Sequence, residues 1–187
     1  KRMKFNPSTN EYAEKVRTIL DLRESGMTDA TCTWHRSILP RATDAISDAL
    51  ELSSDVRPDE QLEAMVIDLK DAYWMIPLAR AERRFCVARH KGKYVIFKRI
   101  AQGSRGGPLA YASIAAVLAR CVQAIFTAAH GRRKNTGEEL RLQLYVDDPL
   151  TIARGTDTMR KRLFAMFHLV IMGPGPPLAL EKASLGT

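Results

Sequence analysis

Apolar and polar positions along the chain fall into blocks whose period changes several times. Tyr12 to Leu22 begins polar and becomes an apolar, strand-like run over Val16 to Leu22, closed by the turn signal Arg23-Glu24-Ser25-Gly26. Pro40 precedes Thr43 to Leu52, where Ala45, Ile46, Ala49, Leu50 and Leu52 predict a short amphipathic helix starting near Thr43 or Asp44. Ser53 to Gln61 is polar, contains Pro58 and reads as a loop. Ala64-Met65-Val66-Ile67 is continuously apolar, as a buried strand is, and delivers Asp68 at its end. Phe85 to Ala88 and Tyr94 to Phe97 flank His90-Lys91-Gly92-Lys93, which predicts a hairpin with a basic tip.

Gln102 to Gly107 is a flexible loop, and Pro108 suits the first turn of a long Ala-rich helix ending near Gly131. A polar linker, Arg132 to Glu139, follows. Leu142 to Val146 then alternates as a half-buried strand does, and Leu150 to Ala153 can return beside it, so Asp147 and Asp148 fall at a hairpin turn with Pro149 at the next strand's start. Thr158 to Met172 predicts a helix with Met159, Leu163, Met166, Phe167 and Val170 on its apolar face. Strands and helices interleave with hairpins, so the class is α+β.

A chain of 187 residues, 45% hydrophobic, can bury one core or two closely packed subdomains. The net charge of +8 favours a polyanionic partner. The longest apolar stretch, Leu109 to Ala119, stops at Arg120 and is short for a bilayer, and no signal peptide opens the chain. The expectation is a soluble intracellular protein, of cytoplasm or nucleus, without a membrane partner. Cys32, Cys86 and Cys121 lack metal-site spacing and read as reduced core thiols, and the four histidines read as surface or packing residues. The abrupt start at Lys1 suggests a piece of a longer protein.

Chemistry concentrates in Tyr145-Val146-Asp147-Asp148. Adjacent carboxylates between apolar strands raise each other's pKa and resist burial, whereas oxygen ligands at a tight turn are what Mg²⁺ prefers. Taken alone, the pair is an ordinary solvated turn. Asp68, a second acid ending an apolar strand, makes a cradle for two ions if its strand neighbours that hairpin. Successive strand residues face opposite ways, so Asp68 and Asp147 are the principal ligands and Asp148 is ancillary.

Together these residues resemble the fingers and palm of a reverse transcriptase of retroviral or long-terminal-repeat type. Val66-Ile67-Asp68-Leu69-Lys70-Asp71-Ala72-Tyr73, followed by Ile76-Pro77-Leu78, resembles that family's first catalytic motif, and Tyr145 to Asp148 its Tyr-x-Asp-Asp motif. Gln102-Gly103 with Pro108, Gly175 with Lys182, and Arg17 to Arg23 resemble the nucleotide loop, a later palm motif and a fingers strand. The likeness spans roughly residues 12 to 186. It implies a palm with an antiparallel sheet and flanking helices over 45–76 and 107–187, and fingers over 1–44 and 77–106, with no thumb.

The resemblance further implies an RNA-directed DNA polymerase, a nucleotidyltransferase using two Mg²⁺ ions, or Mn²⁺, on Asp68, Asp147 and Asp148. Its partners would be a primed RNA or DNA template and a deoxynucleoside triphosphate. Arg17 and the amides of Asp71 and Ala72 would meet the phosphates, Tyr73 would exclude a 2′-hydroxyl, and Gln102-Gly103 would contact the nucleotide. Lys182 would protonate pyrophosphate, and Asp21 and Arg23 would touch template unless they simply pair with each other. Ile100-Ala101 and Gly107 depart from the family's usual Leu-Pro and Ser. Ser53 to Glu63 reads as a surface insertion. Thumb and ribonuclease H regions would lie on a longer polyprotein. The alternative is an inactive retroelement remnant, or a domesticated module that binds nucleic acid without catalysis.

Overall fold

A computed structural model describes residues 2–6, 10–15, 19–33, 35–36, 38–54, 56–131, 139–175 and 178–186. Strands β1 (Arg2–Asn6) and β2 (Glu11–Lys15) form an antiparallel hairpin, followed by helices α1 (Met27–Ala30) and α2 (Ala42–Ser53). Next come β3 (Gln61–Leu69), a 3₁₀ turn over Ala72–Met75, and the hairpin β4 (Val87–His90) and β5 (Lys93–Ile96). Helix α3 (Gly107–Gly131) leads to β6 (Glu139–Tyr145), β7 (Asp148–Gly155), α4 (Asp157–Met172) and β8 (Leu178–Gly186). The fold is α+β, with antiparallel sheets and, among the described residues, four α-helices.

The main sheet has the order β6-β7-β3-β8, every neighbour antiparallel. One face is apolar because Met65, Ile67 and Leu69 alternate along β3 and meet Leu140 and Ala153 of the adjoining strands. Onto it pack Tyr111, Ala115, Val122 and Phe126 of α3 and Leu163, Phe164, Phe167 and Ile171 of α4. Each such fully buried Ile or Phe contributes about 1.5–3 kcal/mol. The opposite face holds polar links to α2: Gln143 donates to Asp48 (2.6 Å), and Arg154 to the carbonyl of Leu52 (3.3 Å). Covered on both faces, β7 is buried from Thr151 to Gly155.

Local signals account for several boundaries. The backbone N–H of Arg41 donates to Asp44 (2.6 Å), and Thr156 accepts from Met159 (3.4 Å), capping α2 and α4. Lys91 (φ 48) and Gly92 (φ 76) both take the left-handed conformation that a tight two-residue hairpin needs. Gln123 of α3 donates to Leu140 and accepts from Leu142, both at 3.2 Å, tying the helix to edge strand β6.

Several expectations are corrected. Residues 19–22 form no strand: Leu20 instead donates to the carbonyl of Gln102 (2.9 Å), while residues 16–18 lie outside the described ones. The apolar face of α4 is wider than expected: Leu163 and Phe167 are buried and Met166 and Val170 pack half-buried against the core, but Arg160, Phe164 and Ile171 are buried as well, and Met159 is only half-buried. Gln61 to Glu63 open β3 and Glu60 is buried, so the supposed surface insertion is partly sheet. Cys86 is a buried thiol, whereas Cys32 and Cys121 are exposed. A single Arg120 does not end the apolar character of α3: Gly107–Phe126, 20 residues of mean hydropathy 1.7, is long and apolar enough to cross a membrane by length and composition, although here it lies on β6 and α4.

Candidate active site

Two residues, Val146 and Asp147, make the turn between β6 and β7, with Tyr145 paired to Asp148 across it. Val146 has φ 55, a left-handed value that a β-branched residue adopts at a cost of about 1–2 kcal/mol. The side chain of Val146 packs against the core, which holds the turn there. The carbonyl of Asp147 accepts from Leu69 N–H (2.8 Å), locking the turn onto the end of β3. It is β7, not the strand preceding the turn, that lies next to β3, and this still brings Asp68 to the two hairpin acids.

Edge strand β8 supplies a fourth group. Its register on β3 jumps from Val66 opposite Ser184 to Asp68 opposite Ala179, so Ile67 faces the four residues from Leu180 to Ala183. Lys182 sits in that irregular stretch and forms an ion pair with Asp68. Asp68, Asp147, Asp148 and Lys182 line one open cavity of about 320 Å³ with Val66 and Ile67. Partial burial, then the charge of Asp147, raises the pKa of Asp148 above the usual carboxylate value. A cation would relieve that crowding, and an all-carboxylate donor set is the kind Mg²⁺ takes. Among the described residues no three His, Cys, Asp or Glu side chains already converge on one ion position, and Asp68 is neutralised by Lys182. The carboxylates are thus chemically suited to a hard divalent cation, while the described geometry does not gather three of them on one ion.

Beyond the cavity, Asp71 takes a left-handed φ of 53 and opens the 3₁₀ turn that carries buried Ala72 and half-buried Tyr73. Burial first, then the charge of Asp147, raises the Tyr73 pKa, so its ring lies within the field of the carboxylates. Tyr73 stacks, tilted, 5.4 Å from Tyr111 of α3. Gly107 explains one departure from the family pattern: a Cβ there would meet Ile100 at 3.2 Å and the Tyr73 ring at 3.4 Å, so a Ser would crowd this contact. Tyr111 escaped the sequence reading. Its hydroxyl is buried without a hydrogen-bond partner, and burial followed by Asp147 raises its pKa well above the tyrosine range. An aromatic four residues into an Ala-rich helix is a weak signal, because only the fold turns it toward the acids.

Gln102 and Gly103 do not line the carboxylate cavity. They form the seat of the preceding segment: beside the Leu20 bond, a Cβ on Gly103 (φ 102) would stand 2.4 Å from the Leu20 carbonyl oxygen. Asp21 and Arg23 pair with each other on the surface through bonds of 2.6 and 3.0 Å, which lowers the Asp21 pKa to about 2. Arg17 lies outside the described residues.

No family model and no curated protein matches the chain. Solved structures do resemble it. A Prototype Foamy Virus protease-reverse transcriptase mutant aligns at TM-score 0.61 and 16% identity over 99% of this chain and 20% of its own. A foamy viral protease-reverse transcriptase in complex with double-stranded DNA aligns at 0.59 and 16% over 99% and 26%, and one with an RNA/DNA hybrid at 0.54 and 17% over 89% and 19%. The chain thus spans about a fifth to a quarter of those proteins. At such identities the likeness speaks for the fold alone, and that fold is of the retroviral reverse transcriptase kind.

Proposed function

We propose that the chain is the fingers and palm of a template-directed DNA polymerase of retroelement type, with fingers over 1–44 and 77–106 and palm over 45–76 and 107–187. The observation that carries this reading is the shared cavity of Asp68, Asp147, Asp148 and Lys182, reached from three separate strands and one tight turn. Asp68, Asp147 and Asp148 would hold the divalent metal, whose chemistry when bound would be to activate a primer 3′-hydroxyl and neutralise charge on the leaving pyrophosphate. Asp68 is paired with Lys182; if it held metal instead, the lysine would be free to give a proton to the departing phosphate. Tyr73, braced by Tyr111 and Gly107, presents a fixed ring against the sugar and leaves no space for a 2′-hydroxyl. The amides of Asp71 and Ala72 serve the triphosphate, as Arg17 does, while Gln102 and Gly103 hold the fingers segment and the nucleotide.

Primer extension on an RNA template with deoxynucleotides and Mg²⁺ tests this reading. Asp68→Asn and Asp147→Asn should each abolish incorporation with the fold intact, and Tyr73→Val should admit ribonucleotides. Normal rates in either Asp variant, or no incorporation when a thumb region is supplied, refute it. A second reading, a nucleic-acid-binding module without catalysis, is favoured by the Lys182 ammonium standing where Asp68 would take a metal. Salt-sensitive binding without metal-dependent incorporation would decide for it.

A further inference from the structure

Buried polar side chains elsewhere in the fold have found partners. Thr151, fully enclosed, donates to the carbonyl of Met65 (3.2 Å), Arg154 to that of Leu52, and Arg160 to Glu63 and the Gly155 carbonyl. Tyr111 breaks that pattern: among the described residues, its hydroxyl is the one buried side-chain oxygen or nitrogen without a hydrogen-bond partner. The residue is only 6% exposed and belongs to the core, with its ring 5.4 Å from that of Tyr73. A phenylalanine ring would pack there equally well. The hydroxyl therefore adds a desolvation cost that packing does not explain, and an orphan in an otherwise satisfied interior calls for an acceptor.

Its surroundings name that acceptor. Beyond burial, the charges acting on the hydroxyl are those of Asp147, Tyr73 and Asp148, in that order, so it keeps its proton and can only donate to an acid. Asp147 sits in the β6–β7 turn beside Val146, whose side chain packs against the same core as Tyr111. Asp68 is paired with Lys182 and, among the described residues, no three acids meet on one ion position, so gathering them requires the turn or its side chains to shift. A carboxylate that gives one oxygen to a metal keeps the other for a hydrogen bond, and that second bond fixes its aim. We propose that Tyr111 is a positioning residue for the candidate metal site, its hydroxyl held unpaired until Asp147 binds metal and then donating to the carboxylate oxygen left free. Already desolvated, the hydroxyl makes that bond with no further loss of water. The proposal rests on the reading of the carboxylates as metal ligands, and adds to it a residue of α3 that lies outside the lining of their cavity.

Tyr111→Phe keeps the ring and deletes the donor, so stability and metal affinity should part company. In EDTA the urea midpoint should equal or exceed that of the unsubstituted chain, because an unpaired hydroxyl has no bond to lose. Mn²⁺ binding followed by electron paramagnetic resonance should weaken about 10- to 100-fold, the usual effect of deleting a group that orients a ligand. In Asp147→Asn, whose remaining acids hold Mn²⁺ more weakly, Tyr111→Phe should cause no further loss, since its acceptor is already gone. Mn²⁺ affinity within about twofold of the unsubstituted chain overturns the proposal. So does an equal loss in the Asp147→Asn background, or a lower urea midpoint in EDTA, which would show the hydroxyl already bonded to an enclosed water. An unsubstituted chain that binds no Mn²⁺ refutes the metal reading and this proposal with it, whereas binding that Tyr111→Phe leaves intact refutes the role of Tyr111 alone.

Discussion

Gly103→Ala isolates the joint between the segment around Leu20 and the loop that precedes α3. At φ 102 an Ala backbone is strained, which costs about 1–3 kcal/mol. The new Cβ would also stand 2.4 Å from the Leu20 carbonyl oxygen and 3.0 Å from Ile19 Cγ2. The oxygen belongs to the backbone, so it can retreat only by disturbing the Leu20 N–H bond to Gln102, itself worth about 1 kcal/mol. Together these give a loss of about 2–4 kcal/mol, or a fall in Tm of about 5–15 °C for a chain of this size. Gly92→Ala is the control: its φ of 76 is also positive, yet nothing lies within 4 Å, so only the strain of about 1 kcal/mol applies. Urea unfolding followed by far-ultraviolet circular dichroism compares the two. The reasoning fails if Gly103→Ala is no less stable than Gly92→Ala.

Other consequences are measurable in the same preparation. Arg160 is buried and bonds Glu63 (3.0 Å) and the Gly155 carbonyl (2.7 Å), so Arg160→Met should lose about 2–4 kcal/mol in urea unfolding, part of it regained on adding Glu63→Gln. Arg23→Gln should raise the Asp21 pKa from about 2 toward the ordinary carboxylate value, read by NMR titration of its carboxyl carbon. Because that pKa is depressed in the folded chain, whatever stability the pair gives is present above the unfolded-state value of 3.8 and lost as pH falls toward about 2, a dependence the variant should lack. Lys182→Met should tighten Mn²⁺ binding measured by electron paramagnetic resonance, since Asp68 loses its resident cation; unchanged affinity would show that the ion pair does not compete.

Elements with an unmixed period were legible in the chain. The apolar run of β3, the Ala-rich α3 and the alternating β6–β7 hairpin stand close to where the pattern puts them, because packing and local preference agree there. Strand β8 was not legible: Leu178 to Gly186 follows a Gly- and Pro-rich stretch and accommodates four residues opposite one, which erases its alternation. Glu11 to Lys15 is a strand with little apolar signal, formed by pairing with β1. The helical face of α4 was legible in part: Leu163 and Phe167 lie in the core and Met166 and Val170 pack against it, whereas burial of Phe164 and Ile171 shows only when the sheet is there to receive them. At the site, the acids were visible as a motif, whereas the Lys182 pairing and the buried Tyr111 hydroxyl depend on contacts between distant segments.

Val146 shows how such a turn resists improvement. Glycine would relax its backbone by about 1–2 kcal/mol, yet would also withdraw the side chain that fastens the turn to the core. Burial of a valine contributes about 1.5–3 kcal/mol, as much as the strain relieved, so a directed-evolution campaign scored on melting temperature alone would register little change at this position. Such a screen cannot tell a turn held in place from a loosened one, and it needs a second score for the aim of Asp147.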